Sequence, residues 1–379
     1  MIMPLQQAEW HDILKVLHET VHIWSSGLSA LDYQCLLTYQ MQTPWFRRNC
    51  RFMVYKSSGV LRSSCKLYTF EYSHQGRTYR LAGLGAVYTQ LDSRGIGYAS
   101  ELINEVLDLC EEENFDGVVL YSEIGTDFYA DFGFEEFGCV DFHIERSASV
   151  IQTLRKASLL ENQSCPENDN SFDCAPISKE TSENSASYHA RLLVENSRDL
   201  GASFLSLSDI PFLQTHYLRW LRTQPFGMER SDDYWHYKLS KEHFLNKNSR
   251  TGWNALSLLQ VDVDSTCGGY AIVEINVDSV RLLEIVGNES ARKIIWANLL
   301  TQILKGRIKR LHGWEAVIRD LSPTYKIRSL GLETEIATAN LDVFCAQREW
   351  GQGMILCLNP DLQKWLSVNP CPMLELDHS

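Results

Sequence analysis

The first quarter of the chain changes from helical to strand-like periodicity. Apolar residues recur every three or four positions in two stretches, which predicts helices over residues 5–20 and 30–42. The segment TPWFRRNC (43–50) contains a proline and is predicted to be a loop. Strands rich in β-branched and aromatic residues are predicted over 51–56, 60–72 and 79–89. The predicted order is two helices and then an antiparallel meander.

The helical period returns after the third strand and then breaks again. Apolar residues predict a helix over 98–113, and the short apolar run VVLYS (118–122) is typical of a buried strand. TDFYADFGF (126–134) predicts a short helix with a glycine turn, and a strand is predicted over 139–145. Strand, helix and strand in this order form a βαβ unit, so the strands at 79–89 and 118–122 should be parallel neighbours.

The second half of the chain shows a similar order after a polar interval. Residues 160–187 are polar, contain prolines and have few large apolar side chains, which indicates a linker or long surface loop. Helices are predicted over 210–224, 232–245 and 289–306, and strands over 254–264, 268–278 and 279–287. We therefore expect a domain over 1–150, a linker over 151–190, and a degenerate repeat of the first domain over 191–379.

Composition and charge narrow the classes of protein. The 379 residues are 44% hydrophobic and 22% charged, as in globular domains, and no apolar run is long enough to span a membrane. None of the 11 cysteines forms a CxxC pair, which favours reduced thiols in a cytoplasmic enzyme over disulfides or a metal site. The net charge of −13 disfavours nucleic acid and anionic membranes and favours a small cationic partner.

The segment LDSRGIGYAS (91–100) is the strongest candidate for chemistry. Gly95 and Gly97 lie between a predicted strand and a predicted helix, where bare backbone can approach a ligand. The helix amino terminus offers unpaired N–H groups to an anion, and Arg94 can add a guanidinium. No Lys-Ser or Lys-Thr follows, so the segment is not a P-loop, and the glycine spacing does not suit a dinucleotide fingerprint. A tight turn with a solvated arginine is the alternative.

The segment resembles the acetyl-CoA loop of the GNAT acetyltransferase superfamily, which reads Arg/Gln-x-x-Gly-x-Gly/Ala, at Arg94, Gly97 and Ala99. FYADFGF is similar to the superfamily's Tyr-x-x-x-Gly-Phe segment, and the two helices and the meander come in the same order over residues 5–145. The resemblance implies an α/β (α+β) fold with a mixed, mostly antiparallel sheet. It also implies acetyl-CoA as cosubstrate. The second half of the chain, which repeats the order of strands and helix, is then expected to be a GNAT-like domain covering the substrate cleft.

The same resemblance implies roles for particular residues. The pyrophosphate of coenzyme A would lie on the backbone of Gly95, Ile96, Gly97, Tyr98 and Ala99, beside Arg94. The pantetheine would extend the sheet at Val87, Tyr88 and Thr89, with an N–H near Val87 polarising the thioester. Tyr129 would protonate the leaving thiolate, unless it is an aromatic residue packed under the cofactor.

A base must also deprotonate the acceptor ammonium, whose pKa is about 10.4 for an alkyl amine. Glu123 and Glu71 are the candidates, and each could instead have a structural or cation-binding role.

The acceptor is indicated by a narrower resemblance. TPWFRRN, SSCKLYTFEY, AVYTQLDSRGIGYAS and LYSEIGTDFYADFGF look similar to segments of fungal lysine acetyltransferases, which act on the ε-amino group of free lysine. Aminoglycosides, polyamines or protein lysines are alternative acceptors, and a non-catalytic acyl-CoA sensor is an alternative of another class. Tandem GNAT domains also occur in the enhanced-intracellular-survival family, but its third domain would not fit this length. The oligomeric state is left open.

Overall fold

A computed structural model describes residues 4–74, 76–137, 140–152, 202–248, 256–264, 267–321, 325–329, 341–348 and 351–367. The predicted linker lies outside the described residues from 153 onward. The helices are α1 (Trp10–Trp24), α2 (Ala30–Gln42), α3 (Pro44–Asn49), α4 (Tyr98–Glu112), α5 (Asp127–Ala130), α6 (Ile210–Leu221), α7 (Asp232–Asn248), α8 (Glu289–Lys305), α9 (Glu315–Ile318) and α10 (Pro360–Leu366).

The strands of the first sheet are β1 (Leu5–Gln7), β2 (Cys50–Ser57), β3 (Val60–His74), β4 (Arg77–Thr89), β5 (Gly117–Ser122), β6 (Glu135–Glu136), β9 (Gly227–Met228) and β16 (Gln352–Cys357). Those of the second are β7 (Val140–Glu145), β8 (Ala202–Phe204), β10 (Leu256–Asp264), β11 (Cys267–Ile275), β12 (Ser279–Gly287), β13 (Arg310–Trp314), β14 (Tyr325–Ser329) and β15 (Leu341–Gln347). Both sheets are mixed, which confirms the predicted fold class.

The first sheet has the order β1-β2-β3-β4-β5-β16-β6, and β9 pairs with β3. β4 and β5 are parallel, as predicted, whereas the other described strand pairs of this sheet are antiparallel. α4 crosses between the two parallel strands, and its side chains Leu102, Ile103, Val106 and Cys110 are completely buried against one face of the sheet. This packing fixes the start of α4 beside the end of β4.

Two predictions at the start of the chain were wrong. Leu5 belongs to strand β1, where it lies opposite Tyr55 of β2, and the helix begins only at Trp10. Segment 43–50 is mostly helical, because the hydroxyl of Thr43 accepts the N–H of Phe46 and a proline occupies the first turn of α3. An N-cap threonine followed by proline is a signal for the start of a helix, and here it outweighs the turn preference of proline.

The second sheet has the order β14-β15-β7-β13-β12-β11-β10-β8. β7 was expected to complete the first domain, but it pairs antiparallel with β13. The position beside β5 is filled instead by β16, from the far end of the chain, with Ile355 opposite Val119. Strand pairing depends on partners distant in sequence, so the local pattern of 139–145 could not decide its sheet.

The chain divides into two compact units that are discontinuous in sequence. One comprises residues 1–140, 206–255 and 347–379, and the other 141–205 and 256–346. This differs from the contiguous division expected at 150 and 191, because helices α6 and α7 and strand β16 belong with the amino-terminal unit. Among the described residues, no helix is long and apolar enough to cross a membrane.

Candidate active site

β4 contains a bulge in its pairing with β3. Lys66 lies opposite Gly85, and the register then shifts so that Cys65 faces both Ala86 and Val87. Ala86 has a φ of +49°, in the left-handed region that residues other than glycine rarely adopt. A bulge leaves a residue without a ladder partner and redirects the strand, and such distortions recur next to active sites.

β4 and β5 separate just before this bulge. Their parallel pairing ends at Leu84 and Leu120, although β4 continues to Thr89 and β5 to Ser122. Among the described strands, none pairs with this edge of β4 beyond Leu84. The two strands therefore diverge beyond Leu84 and Leu120. The backbone from Gly85 onward, which includes Val87, Tyr88 and Thr89, has a free edge that an extended ligand could pair with.

The turn between β4 and α4 has a backbone shape that requires glycine. Gly95 and Gly97 have φ values of +73° and +99°. A Cβ added to either would meet no heavy atom within 4 Å, so the space in front of the loop is open. Gly97 is the N-cap of α4 and supplies no side-chain acceptor, which leaves the N–H groups of Tyr98 and Ala99 to an external anion. Ile96, between the glycines, is exposed.

Two arginines flank this turn. Arg94 is exposed, and its Nε donates to the carbonyl of Thr89 at 3.2 Å. Arg62, on β3, donates to Oγ of Ser93 at 3.2 Å and lies 5.5 Å from the centre of the Tyr98 ring. The sequence singled out Arg94 but not Arg62, because strand pairing alone brings Arg62 to the turn. Both guanidinium groups are close enough to the loop to add charge to an anion site.

Tyr129, on α5, is buried on the face of the first sheet that α4 covers. It belongs to the same apolar cluster as Cys65, which faces the β4 bulge. Its ring makes edge-on contacts with Phe128 and Phe134, with centroid distances of 5.0 and 6.0 Å. Burial raises the pKa of Tyr129 to about 12, with further contributions from the nearby Cys65 and Glu123. The phenol is therefore protonated at neutral pH and can act only as a proton donor there.

Of the two predicted bases, only Glu123 lies near Tyr129 in the structure. Glu123 directly follows β5, is exposed, and is close enough to influence the pKa of Tyr129. Glu71 lies opposite Arg80 on β4, and Arg80 comes before Leu81, where the pairing of β4 with β5 begins. It is six residues from Cys65 along β3, or about 20 Å. Glu71 is thus at the other end of β3 from the bulge, and the structure does not bring it together with Tyr129.

This geometry fits an extended thioester carrying a phosphate group. A free strand edge, an open glycine turn at a helix start and a buried proton donor lie in sequence along one end of the sheet. The free edge can orient an extended chain, the turn can hold a phosphate, and Tyr129 can protonate a departing thiolate. Among the described residues, no group of three or more His, Cys, Asp or Glu could hold a metal ion.

Comparison with known families agrees with this geometry. Residues 2–137 match the family described as acetyltransferase (GNAT) domain. The first unit contains a GNAT acetyltransferase domain. The matched residues include the β4 bulge, the glycine turn, α4 and Tyr129. The fold of this domain implies N-acetyltransferase chemistry with an acyl-CoA donor.

Solved structures extend the likeness beyond the GNAT domain. A probable N-acyltransferase from Enterococcus faecalis V583 is 14% identical with a TM-score of 0.58, and the match covers 96% of this chain and 74% of that one. A GCN5-related N-acetyltransferase from Anabaena variabilis is 15% identical with a TM-score of 0.57, covering 94% and 72%. Identities this low show a shared fold only, and they do not single out the fungal lysine acetyltransferases. No curated protein sequence matches the chain.

Proposed function

We propose that this GNAT enzyme transfers an acetyl group from acetyl-CoA to the ε-amino group of free lysine or of a closely related small amino acid. The observation that carries the transfer chemistry is the juxtaposition of the buried Tyr129 with the bulged end of β4. The acceptor is supported by the resemblance of the segments around the site to fungal lysine acetyltransferases and by the net charge of −13, which favours a cationic substrate.

In the proposed mechanism, each residue of the site has one role. Acyl-CoA supplies the activated acyl group. The N–H groups of the glycine turn, with Arg94, hold the diphosphate, and the backbone near Val87 orients the thioester and polarises its carbonyl. Glu123 accepts a proton from the acceptor ammonium through an ordered water, since an alkyl ammonium must lose a proton before attack. The free amine attacks the thioester carbonyl carbon, the C–S bond breaks, and Tyr129 donates its proton to the departing thiolate.

A panel of amines tests the proposal. Purified enzyme would be given acetyl-CoA with free lysine, ornithine, spermidine, an aminoglycoside or a lysine-containing peptide, and the released coenzyme A thiol would be measured. We expect lysine to give the highest kcat/KM, and mass spectrometry to locate the acetyl group on the ε-nitrogen. A higher kcat/KM with spermidine, the aminoglycoside or the peptide would overturn the choice of acceptor. Tight acetyl-CoA binding with no release would indicate a sensor.

A further inference from the structure

The face of the first sheet opposite α4 carries an unusual set of side chains beside the β4 bulge. Lys66, Tyr68 and Phe70 alternate along β3 with Cys65 and Leu67, which pack under α4. A Cβ added to Gly85 of β4 would lie 3.3 Å from the Tyr68 ring, so this glycine lets the ring lie over the backbone of β4. Lys66 faces Gly85, directly before the bulge. The set therefore adjoins the site of acyl transfer.

Further aromatic rings pack around these side chains. We call the five aromatic residues of this group the aromatic recess: Trp45, Phe52, Tyr68, Phe70 and Tyr237. The Trp45 ring lies 4.6 Å from that of Tyr237, 5.9 Å from that of Phe70 and 6.3 Å from that of Tyr68, measured between centroids. All five residues belong to the same compact unit. Stacked rings of this kind form a rigid apolar wall against which an aliphatic chain can pack.

Some side chains of the aromatic recess, and the neighbouring Lys66, are in part accessible to solvent. Tyr68, Phe70 and Lys66 are half-buried, so solvent reaches part of each side chain. Burial nevertheless raises the pKa of Tyr68 well above its ordinary value and lowers the pKa of Lys66. A ligand could therefore reach all three side chains, and the two polar groups among them are poorly hydrated.

The charge of this recess is positive, in contrast to the chain as a whole. The Lys66 ammonium lies 5.2 Å from the centre of the Phe52 ring, and the charge of Lys241, on α7, contributes to lowering the pKa of Lys66. Among the described residues, no carboxylate forms a salt bridge with Lys66. The protein has a net charge of −13, yet Lys66 has a second lysine nearby and no carboxylate partner among the described residues. A bound anion would offset the repulsion between the two lysines and the cost of removing the Lys66 ammonium from water.

We propose that Lys66, assisted by Lys241, binds the carboxylate of the acceptor while the aromatic recess holds its aliphatic chain, so that the substrate is an amino acid and not a polyamine. This inference rests on the proposed function and narrows it. It makes Lys66 a specificity-determining residue, because a simple diamine would place a second ammonium against two lysines. The proposal also explains how an acidic enzyme can select against polycations that its net charge would attract.

The span of the sheet agrees with an acceptor of this length. The Lys66 side chain reaches Phe52 on β2, whereas the separated strand edge lies on the far side of β4. Adjacent strands are about 4.8 Å apart, so two strand spacings separate the ammonium from the reacting edge by about 10 Å. This suits a molecule whose amine and carboxylate are at opposite ends of a short aliphatic chain, as in the ε-amine and α-carboxylate of lysine.

The test compares lysine with 1,5-diaminopentane, which has the same amine and chain but no carboxylate. We expect wild-type enzyme to prefer lysine in kcat/KM. In Lys66→Met the ratio of the two kcat/KM values should fall about 10–100-fold, the range for a hydrogen bond to a charged group. Lys66→Arg should keep most of the preference, and Lys241→Met should lose less than Lys66→Met. Lys364→Met, at an exposed position on α10, is the matched control and should keep the ratio.

The outcomes separate this inference from the proposed function. Both substrates are assayed on the same preparation, so the ratio is independent of how much of a variant is folded. An unchanged ratio in Lys66→Met, or a wild-type preference for 1,5-diaminopentane, would overturn the role of Lys66. If the wild-type enzyme acetylated no amine in the panel, the proposed function itself would fail.

Discussion

The two units place a helix after a bulged strand in different ways. In the first, a turn with two glycines joins β4 to α4, and Gly97 caps the helix without a side chain. In the second, β12 ends at Gly287 and α8 begins at Glu289, with only Asn288 between them. The side chain of Asn288 accepts the N–H of Ala291 at 2.9 Å. One helix start is open to a ligand, and the other is capped by the protein itself.

The sheets around these junctions remain alike. The register of β11 with β12 shifts between Ile272 and Val273, as the register of β3 with β4 shifts at its bulge. Parallel pairing of β12 with β13 ends at Leu282 although β12 continues to Gly287, so these strands also separate. The second unit thus keeps the distorted sheet and lacks the anion site. Sheet geometry supplies the scaffold, and the turn and the nearby side chains supply the chemistry.

The helix after the second parallel strand also differs, and it gives the largest expected effect. α5 of the first unit presents Tyr129, whereas α9 of the second presents Glu315, which is bound to Arg319 at 2.6 Å. Tyr129→Phe should lower kcat by about 10²–10⁴-fold, the usual contribution of a positioned acid. Affinity for acetyl-CoA should change little. Steady-state kinetics and calorimetric titration with acetyl-CoA measure the two quantities.

The control for this substitution is Tyr39→Phe, which removes a phenol that donates to Ser240 instead of one at the site. It should leave kcat near the wild-type value. If Tyr129→Phe turned over at the wild-type rate, Tyr129 would be a packing residue, and the contrast between α5 and α9 would have no catalytic meaning.

A negative charge at Gly97, the N-cap of α4, should block anion binding at the start of this helix. Gly97→Glu should reduce affinity for coenzyme A by about 100-fold or more, because a carboxylate would occupy the anion site and repel the diphosphate. The protein should remain folded, since a Cβ at this position meets no heavy atom within 4 Å. Gly97→Ala imposes the same left-handed backbone strain, about 1–3 kcal/mol, without the charge. Titration calorimetry and thermal melts of both variants separate charge from strain.

A folded Gly97→Glu protein with wild-type affinity would show that the turn does not hold the diphosphate. If Gly97→Ala and Gly97→Glu lost the same affinity, the backbone shape of the turn would matter more than its charge.

The contribution of Arg94 should be smaller. Its guanidinium is exposed, so Arg94→Gln should weaken coenzyme A binding by about tenfold, the lower end for a hydrogen bond to a charged group. The loss should shrink as salt increases, because exposed charges are screened. The activity of S-acetylpantetheine, which lacks the diphosphate, is the control and should be insensitive to the substitution. An equal loss with this truncated donor would place Arg94 outside the diphosphate site.

Features set by local sequence were predictable, and features set by distant pairing were not. The turn around Gly97, the parallel pairing of β4 and β5, and the short helix carrying Tyr129 followed from periodicity and glycine spacing. The exchange of β7 for β16 and the approach of Arg62 to the turn could not be predicted, since each depends on residues far apart in the chain. The distance of Glu71 from the bulge could not be predicted for the same reason, because only the strand register reveals it.

The capped helix start of the second unit gives the smallest expected effect and the sharpest check on the comparison. Asn288→Ala removes a side-chain cap and should lower the free energy of unfolding by about 1 kcal/mol, measured by urea denaturation of the intact chain. Affinity for coenzyme A and kcat should stay at wild-type values, since Glu289 in the first turn of α8 would disfavour an anion there. Asn288→Gly should cost only a few tenths of a kcal/mol, because glycine is tolerated at an N-cap. A change in coenzyme A affinity without a loss of stability would mean that both junctions take part in donor binding, and the division of labour between the units would fail.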